Sequence, residues 1–548
     1  MYIKRLVLKN KDLSTRTYLQ LVESYRSEGK IRQRVLFNLG RFDSDEGQGR
    51  IQQMAEALVQ ACDKLSLLNA VDHLQADWSK QYGPALIFKR LWQTVGLDQV
   101  LQEQFKSIST EFDLKDSIFN MVLNRLTDPS SKRQLTLWEQ GIYGIKNYEQ
   151  QHYYRAMDYL IKYKDSIEQD IFVRMRDLFC QSVDVVLFDT TSLVYYGEGE
   201  PEEEGLKKEG DEHTPLLARG FSKDHRSDLK QIVVGVLMSK DGIPLAHEVF
   251  SGNTNDVSCF RQVIDQLASK FKIDKVVLVG DRGMISQKNL DYLNAKGYQY
   301  ILGYRMRTIP KKERYWVLSK ADLKTVRKDL QWKEVIYNDQ RLLVCYNPER
   351  AKLDAKKRED ILERIKSKIK DGSILSVVDN PNYKKFLKIK GEKPTLDPEQ
   401  IERDASYDGL YVLTSNTKLS GKQIIQSYKD LWQVEHAFRQ LKTELETGPI
   451  YHWKDDRIRA HVMICFLAFV LRTVFYKKLK ATDPSASYTE VLNDLKQFHA
   501  IGLKIKNQST ILRTEIKTSA ALAFRAVEMK VPNRILQSDN LFSVVVRH

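Results

Sequence analysis

Apolar and polar residues alternate over Thr17–Arg26 and again over Lys30–Gly40, on either side of Ser27, Glu28 and Gly29. Successive side chains of a strand point to opposite faces, so the pattern predicts a β-hairpin. Its second strand sets Lys30, Arg32 and Arg34 on one side. Such a face either tracks a DNA backbone or is simply solvated. From about residue 50 to 180 the apolar spacing turns helical, as in IFKRLWQTVGLDQVL and DSIFNMVLNRL, with NRLTDPSSKRQ as a basic turn between helices.

The rhythm changes at Val183. VDVVLFDTTSLVYY, LKQIVVGVLMS and IPLAHEVFSGN are strand-like, with Lys240, Asp241 and Gly242 as the turn between the last two. A helix over about 256–271 is expected next, then the strand KVVLVGD, a helix over about 287–296 stopped by Gly297, and the strand YQYILGYRM. Three antiparallel strands, a helix, a strand, a helix and a strand make an α/β fold with a mixed sheet flanked by helices. This is the order of an RNase H-like core. The segment GEGEPEEEGLKKEGDEHTP, after the first of these strands, reads as a solvated acidic loop. From about Arg307 to Ser406 the pattern stops. There YWVL and LLVCYN look like short strands and LDAKKREDILERIKSKIK like a basic amphipathic helix, so an inserted domain, mainly β, is expected. GLYVLTS resumes the core at Gly409.

The next segment, Ser420 to Leu445, has the spacing of one helix, opened by a capping box of Ser420 and Gln423 and ended by Gly448 and Pro449. At 100° per residue Tyr428, Trp432, Glu435, Arg439 and Lys442 fall within an arc of roughly 80°. Val434, Ala437, Phe438, Leu441 and Leu445 take the neighbouring face, so the helix docks on a core while presenting a carboxylate framed by cations and aromatics. A long helix over about 456–479 follows.

Composition adds a partner. The net charge of +15 and pI near 9.2 suit a polyanion, because each neutralised phosphate releases counterions. Cys62, Cys180, Cys259, Cys345 and Cys465 form no CxxC pair, which argues for a reducing compartment and no structural zinc. The charged start MYIKRLVLKNKD lacks the apolar run of a signal peptide, and the apolar stretch Val462–Leu471 is too short to cross a bilayer. No membrane association is expected.

Two strands are expected to end in aspartate, at Phe188-Asp189-Thr190 and Gly280-Asp281-Arg282. In an RNase H-like sheet these strands are neighbours, and two carboxylates that close repel unless a divalent cation sits between them. Glu435 completes the set from the side. Three carboxylates suit Mg²⁺ or Mn²⁺, and two such ions support in-line phosphoryl displacement without a side-chain nucleophile.

At these residues the chain resembles a known family. LFDTTS, VGDRGM and SYKDLWQVEHAFRQLK look like the three acidic motifs of bacterial insertion-sequence DDE transposases, of the insertion-sequence-four-like branch with a Tyr-Arg-Glu-Lys signature. GFSKDHRSDLKQIVVGVLMSKDGIPLAHEVFSGNTND, LVESYRSEGKIRQRVLFNLGRFD and PIYHWKDDRIRAHVMICFLAFVL extend the likeness over nearly the whole chain. The resemblance implies catalytic Asp189, Asp281 and Glu435, the signature tyrosine at Tyr428 and the signature lysine at Lys442. It also implies binding of the element's terminal inverted repeats and of target DNA, metal-dependent cleavage and strand transfer, a homodimer in a paired-end complex, and action in the bacterial cytoplasm on the nucleoid. The signature arginine is absent: its position is Leu431, and Arg439, one turn beyond Glu435, is the substitute. Trp432, Arg282, Arg32 and Arg34 complete the expected DNA contacts. Rival readings are an RNase H-like nuclease and a non-catalytic, transposase-derived DNA-binding regulator.

The domain reading is a hairpin and helix over 1–75 that bind DNA, a helical DNA-binding or dimerisation region over 76–180, the catalytic core over 181–306 and 407–480, the insertion over 307–406, and a C-terminal region over 481–548.

Overall fold

A strand such as QIVVGVLMS, apolar at nearly every position, needs cover on both faces, and it receives it. The computed structural model describes residues 2–9, 15–27, 30–44, 47–54, 57, 74–178, 185–197, 215–223, 226–271, 277–327, 330–371, 380–390, 393–505 and 508–536. The hairpin turn at Glu28 and Gly29, most of the acidic loop, Cys62 and Cys180 lie outside the described residues.

The chain divides into two units. The first comprises Met1–Ser79, Ala500–Thr514 and Pro532–Asp539. It contains an antiparallel sheet of β1 (Tyr2–Lys9), β2 (Thr15–Ser27) and β3 (Lys30–Arg41). The hairpin β2–β3 is the expected one, and β1 is an addition, its alternating YIKRLVLK pairing with β2 from Tyr2 opposite Val22 to Lys9 opposite Thr15. β4 (Leu74–Gln81) joins a second sheet with the strands His499–Ile505, Gln508–Arg513 and Ile535–Leu536. In that sheet Gly502 leaves room for Trp78, whose indole would lie 2.3 Å from a Cβ there.

The second unit comprises Lys80–His499, Glu515–Val531 and Asn540–His548. Its helices begin with Gly83–Val95 and Leu97–Gln104, joined at Gly96, whose φ of 77° lets the chain turn left-handed between them. Helix Leu114–Thr127 follows, capped by the Asp113 carboxylate, which accepts from the Lys115 and Asp116 amides.

One nine-stranded mixed sheet organises this unit. β5 (Val185–Val194), β6 (Gln231–Ser239) and β7 (Pro244–Ser251) are antiparallel, and β8 (Val277–Gly280) and β9 (Gln299–Tyr304) run parallel to β5. Helices Asp256–Phe271 and Gln287–Ala295 separate these strands in the expected order. The segment 307–406 departs from expectation. β10 (Lys324–Arg327), β11 (Leu330–Tyr337) and β12 (Gln340–Tyr346) extend the same sheet rather than form a domain of their own. YWV belongs to helix Lys311–Val317 instead of a strand, and the longest element of the segment is the helix Pro348–Lys370. Among the described residues of this segment, the short strand pair β13 (Leu387–Lys390) and β14 (Lys393–Leu396) stands apart from the large sheet. β15 (Leu410–Ser415) then inserts between β12 and β9, so the full order is β10-β11-β12-β15-β9-β8-β5-β6-β7.

Phe188, Phe260, Leu278, Leu290 and Leu302 form a core on one side of the sheet, under the helices Asp256–Phe271 and Gln287–Ala295. Helix Asp455–Thr482 packs on β7 and on helices Gly83–Val95, Leu114–Thr127, Gln150–Lys162 and Thr518–Ala526. It is longer than the apolar run alone suggests, and long and apolar enough to span a bilayer, yet 89% of its most apolar stretch is buried in the protein. It is a core helix.

Candidate active site

β5 and β8 are parallel neighbours, with Phe188 opposite Gly280. The next pair in that register is Asp189 and Asp281. Asp189 is not at a strand end, as its sequence context suggested. β5 runs on to Val194 and Asp281 follows the end of β8, so the shorter strand exposes the longer one's side chain at that level. Burial, reinforced by the nearby Asp281 and Asp256 carboxylates, pushes the Asp189 carboxyl up to about 6, although Lys223 and the Thr190 amide act against it.

The immediate partners of Asp189 include two side chains that the sequence reading did not select. Lys223 Nζ lies 3.7 Å from Asp189 Oδ1 and 3.8 Å from Asp256 Oδ1, and donates to the Thr190 carbonyl at 2.6 Å and its hydroxyl at 2.9 Å. The Thr190 hydroxyl in turn donates to Asp256. Asp256 opens helix Asp256–Phe271, and its Oδ2 would sit 3.0 Å from a Cβ at Gly283, so it also lies against the turn that carries Asp281. An acid at a helix start reads in sequence as a partner for the helix dipole, which concealed it.

The segment Ser420–Leu445 is not one helix. The capping box at Ser420 and Gln423 forms, but helix Gly421–Lys429 stops and a second helix, Trp432–Arg439, begins, followed by a π-helical turn at Gln440–Glu444. A wheel with constant angular steps therefore misplaces residues across each junction. Val434, Ala437, Phe438, Leu441 and Leu445 are buried as expected, and so is Leu431. Tyr428 turns inward and donates to Asp281 Oδ1 at 3.3 Å. Gly303 of β9 makes this approach possible, since a Cβ there would lie 2.7 Å from the Tyr428 hydroxyl and 2.9 Å from the Arg282 amide nitrogen. Trp432, Glu435 and Arg439 are exposed. Gln433 fixes their helix by donating to the Lys240 carbonyl at 2.7 Å, in the turn between β6 and β7.

Lys442, carried by the π-helical turn, lines a crevice with Thr191 and Leu193, which share a face of β5 with Asp189. Arg282 is exposed, and its carbonyl accepts from Arg305 Nε at 3.1 Å, which braces the turn after Asp281. Burial first, then Asp281, hold the Tyr428 phenol well above its ordinary range, and Glu435 adds to the effect. No three His, Cys, Asp or Glu residues are gathered closely enough to hold a metal ion among the described residues. Arg32 and Arg34 belong to the other unit, where Arg34 pairs with Glu23 at 2.6 Å.

Residues 184–471 match the family model of the transposase DDE domain. The chain belongs to the DDE transposases. Residues 3–70 of the transposase match the N-terminal domain of IS1634-family transposases, which makes it one of the bacterial insertion-sequence group. A Sinorhizobium fredii protein provisionally named transposase y4zB is 21% identical over 132 residues, 24% of this chain and 37% of that relative. The match thus spans little more than a third of the relative's length. Among solved structures, a piggyBac transposase synaptic complex with hairpin DNA aligns over 75% of this chain and 79% of its own, at 10% identity and a TM-score of 0.36. DDE transposase domains generally use divalent metal ions, and the oxygen-only set around Asp189 and Asp281 has the hardness such ions require. Burial first, and the Asp281 and Asp256 carboxylates after it, raise the Asp189 carboxyl, and a bound cation would oppose that rise.

Proposed function

We propose that this transposase binds the terminal inverted repeats of its element, cuts the DNA there and joins the freed 3′-hydroxyls to target DNA, on an RNase H-like core. Asp189, Asp281 and Glu435 are the residues that would hold the metal, Mg²⁺ or Mn²⁺. When bound, two such ions would activate the attacking oxygen and stabilise the leaving one. The protein does the rest. Tyr428 orients the Asp281 carboxylate, Asp256 and Lys223 hold Asp189 and Thr190 in place, and Arg439 and Lys442 supply cations for the reacting phosphate. Trp432 and Arg282, both exposed, add DNA contacts beside the acids. The active form is a homodimer that pairs the two element ends, working in the bacterial cytoplasm on the nucleoid.

The observation that carries this reading is the register of β5 on β8, which sets Asp189 beside Asp281 inside the matched domain. The test is cleavage of an oligonucleotide carrying the element's end. Asp281→Asn is expected to abolish cutting and leave end binding near wild type. Normal cutting by Asp281→Asn in Mg²⁺ overturns the assignment.

A further inference from the structure

A second cluster of basic side chains lies in the same unit, with no ion pair to an acid among the described residues. It joins the basic turn after helix Leu114–Thr127 to the segment just beyond the glutamate-bearing helix. Arg125 and Lys132 are 6% and 3% exposed. Arg125 is folded so that its guanidinium donates to the Ser130 carbonyl at 2.6 Å and the Glu446 carbonyl at 3.3 Å, while its buried Nε has no partner among the described residues. His461, buried, bonds the Thr447 carbonyl through Nε2 at 3.0 Å and leaves Nδ1 without a partner. The His452 ring stands 5.6 Å from the His461 ring. The Lys132 side chain has no hydrogen bond or ion pair among the described residues.

Burial, then Arg125, pushes the Lys132 ammonium down to about 7, against a small opposing effect of Cys465. Burial, then Lys132, Arg457 and Arg125, pushes His452 down to about 4. Elsewhere in this unit a buried lysine is treated differently: Lys164 Nζ has Glu168 at 3.0 Å and Glu248 at 3.2 Å. A buried cation without such a partner is costly, and a group of them marks a place for an anion rather than a metal ion. Tyr451 and Trp453, on either side of His452, are 63% and 58% exposed, and Lys454 Nζ lies 5.2 Å from the Trp453 ring centroid. Aromatic faces interleaved with cations are how proteins hold single strands of nucleic acid.

We propose that Arg125, Lys132, His452 and His461 form a phosphate site that takes one phosphodiester of a DNA strand, with Tyr451 and Trp453 stacking on bases beside it. The site rests on the reading of DNA as this chain's partner, and it uses none of the residues assigned to cleavage. Lys132→Met keeps the length of the side chain and removes its charge.

The test is binding of the full-length protein to duplex and single-stranded end oligonucleotides across a range of salt. The slope of log affinity against log salt is expected to become shallower in Lys132→Met by about 0.9 for duplex and about 0.7 for single strand. Trp453→Ala is expected to weaken single-strand binding by about fivefold or more. Lys132→Gln, which keeps a polar end on the side chain and removes the charge, gives the same readout should Lys132→Met fold poorly. Unchanged slopes in a folded Lys132→Met or Lys132→Gln overturn the site. So does protection of wild type against melting by inorganic phosphate with no change of DNA slope in the variants, which would make it a site for free phosphate. Absence of DNA binding by wild type would sink the transposition reading itself, a different result from unchanged slopes.

Discussion

Tyr428 donates its hydroxyl to Asp281 although 147 positions separate them, and the bond ties the helix Gly421–Lys429 to the end of β8. The phenol is kept protonated by burial and by the carboxylates of Asp281 and Glu435, so it acts as a donor throughout the physiological range. A side chain that touches one proposed acid and feels another transmits the position of the helix to the sheet.

Tyr428→Phe should fold normally and cut more slowly. A hydrogen bond to a charged group is worth about 1.5 to 3 kcal/mol, which corresponds to roughly 10 to 100-fold in rate if it is needed in the transition state. Single-turnover cleavage measures this directly. Gly303→Ala should reproduce the loss and also lower the melting temperature, since its Cβ meets the Tyr428 hydroxyl and the Arg282 backbone together. A Gly303→Ala protein with wild-type rate and stability would show that the tyrosine does not need this approach.

Asp189 gives a pH signature. Its folded carboxyl titrates near 6 against an ordinary value of 3.8, so the folded state holds the proton more tightly than the unfolded one. Stability in metal-free buffer should therefore fall as pH rises from about 4 to 6 and level off above, the loss being about 3 kcal/mol at most. Asp189→Asn should remove this slope and melt higher than wild type at pH 7.5 while losing cleavage. Parallel melting curves for the two proteins across pH 4 to 8 would refute the assignment.

Arg439 lies exposed at the end of helix Trp432–Arg439, whereas Leu431 is 6% exposed. Arg439→Lys keeps the charge but loses the paired hydrogen bonds a guanidinium gives a phosphate, so cleavage should slow by about 10 to 100-fold with binding little changed. Leu431→Ala should act on stability instead, costing about 2 to 5 kcal/mol as other buried leucine truncations do. Denaturant melts and cutting rates on both variants separate the two effects.

The ion cluster of Lys164, Glu168, His247 and Glu248 should be structural. Glu168 is fully buried, 2.6 Å from His247 Nδ1 and 3.0 Å from Lys164 Nζ. Glu168→Gln leaves Lys164 with Glu248 at 3.2 Å but removes the buried carboxylate it shares with His247, and should destabilise the fold by about 3 kcal/mol. Chemical denaturation checks this, and cutting per folded molecule should stay unchanged.

The strands from Val185 to Tyr304 were legible because each is a short apolar run closed by turn residues such as Lys240-Asp241-Gly242 or Gly297. Pairing β5 with β8 also followed from the order of elements. The fate of 307–406 did not, since nothing in LLVCYN tells whether its partner is a local hairpin or β15, which arrives after the helix Pro348–Lys370. Tyr428 was selected by type and spacing, and the fold sets it against Asp281. The break at Asp430 and Leu431 was hidden because neither residue is a glycine or proline that would mark a helix end. Lys223 and Asp256 reach Asp189 only through the fold.

The position of β15 between β12 and β9 completes the middle of the sheet from a late part of the chain. A ribosome delivers Asp189 and Asp281 long before Leu410–Ser415, and the helix that brings Tyr428 and Glu435 emerges after that strand. Until then the edge of β9 has no neighbour on that side and Asp281 has no tyrosine. An unfinished chain, or one truncated by a frameshift before residue 435, still carries the basic amino-terminal sheet and both aspartates but lacks the third acid. On the proposed assignment of the three acids, such a chain is expected to cut no DNA.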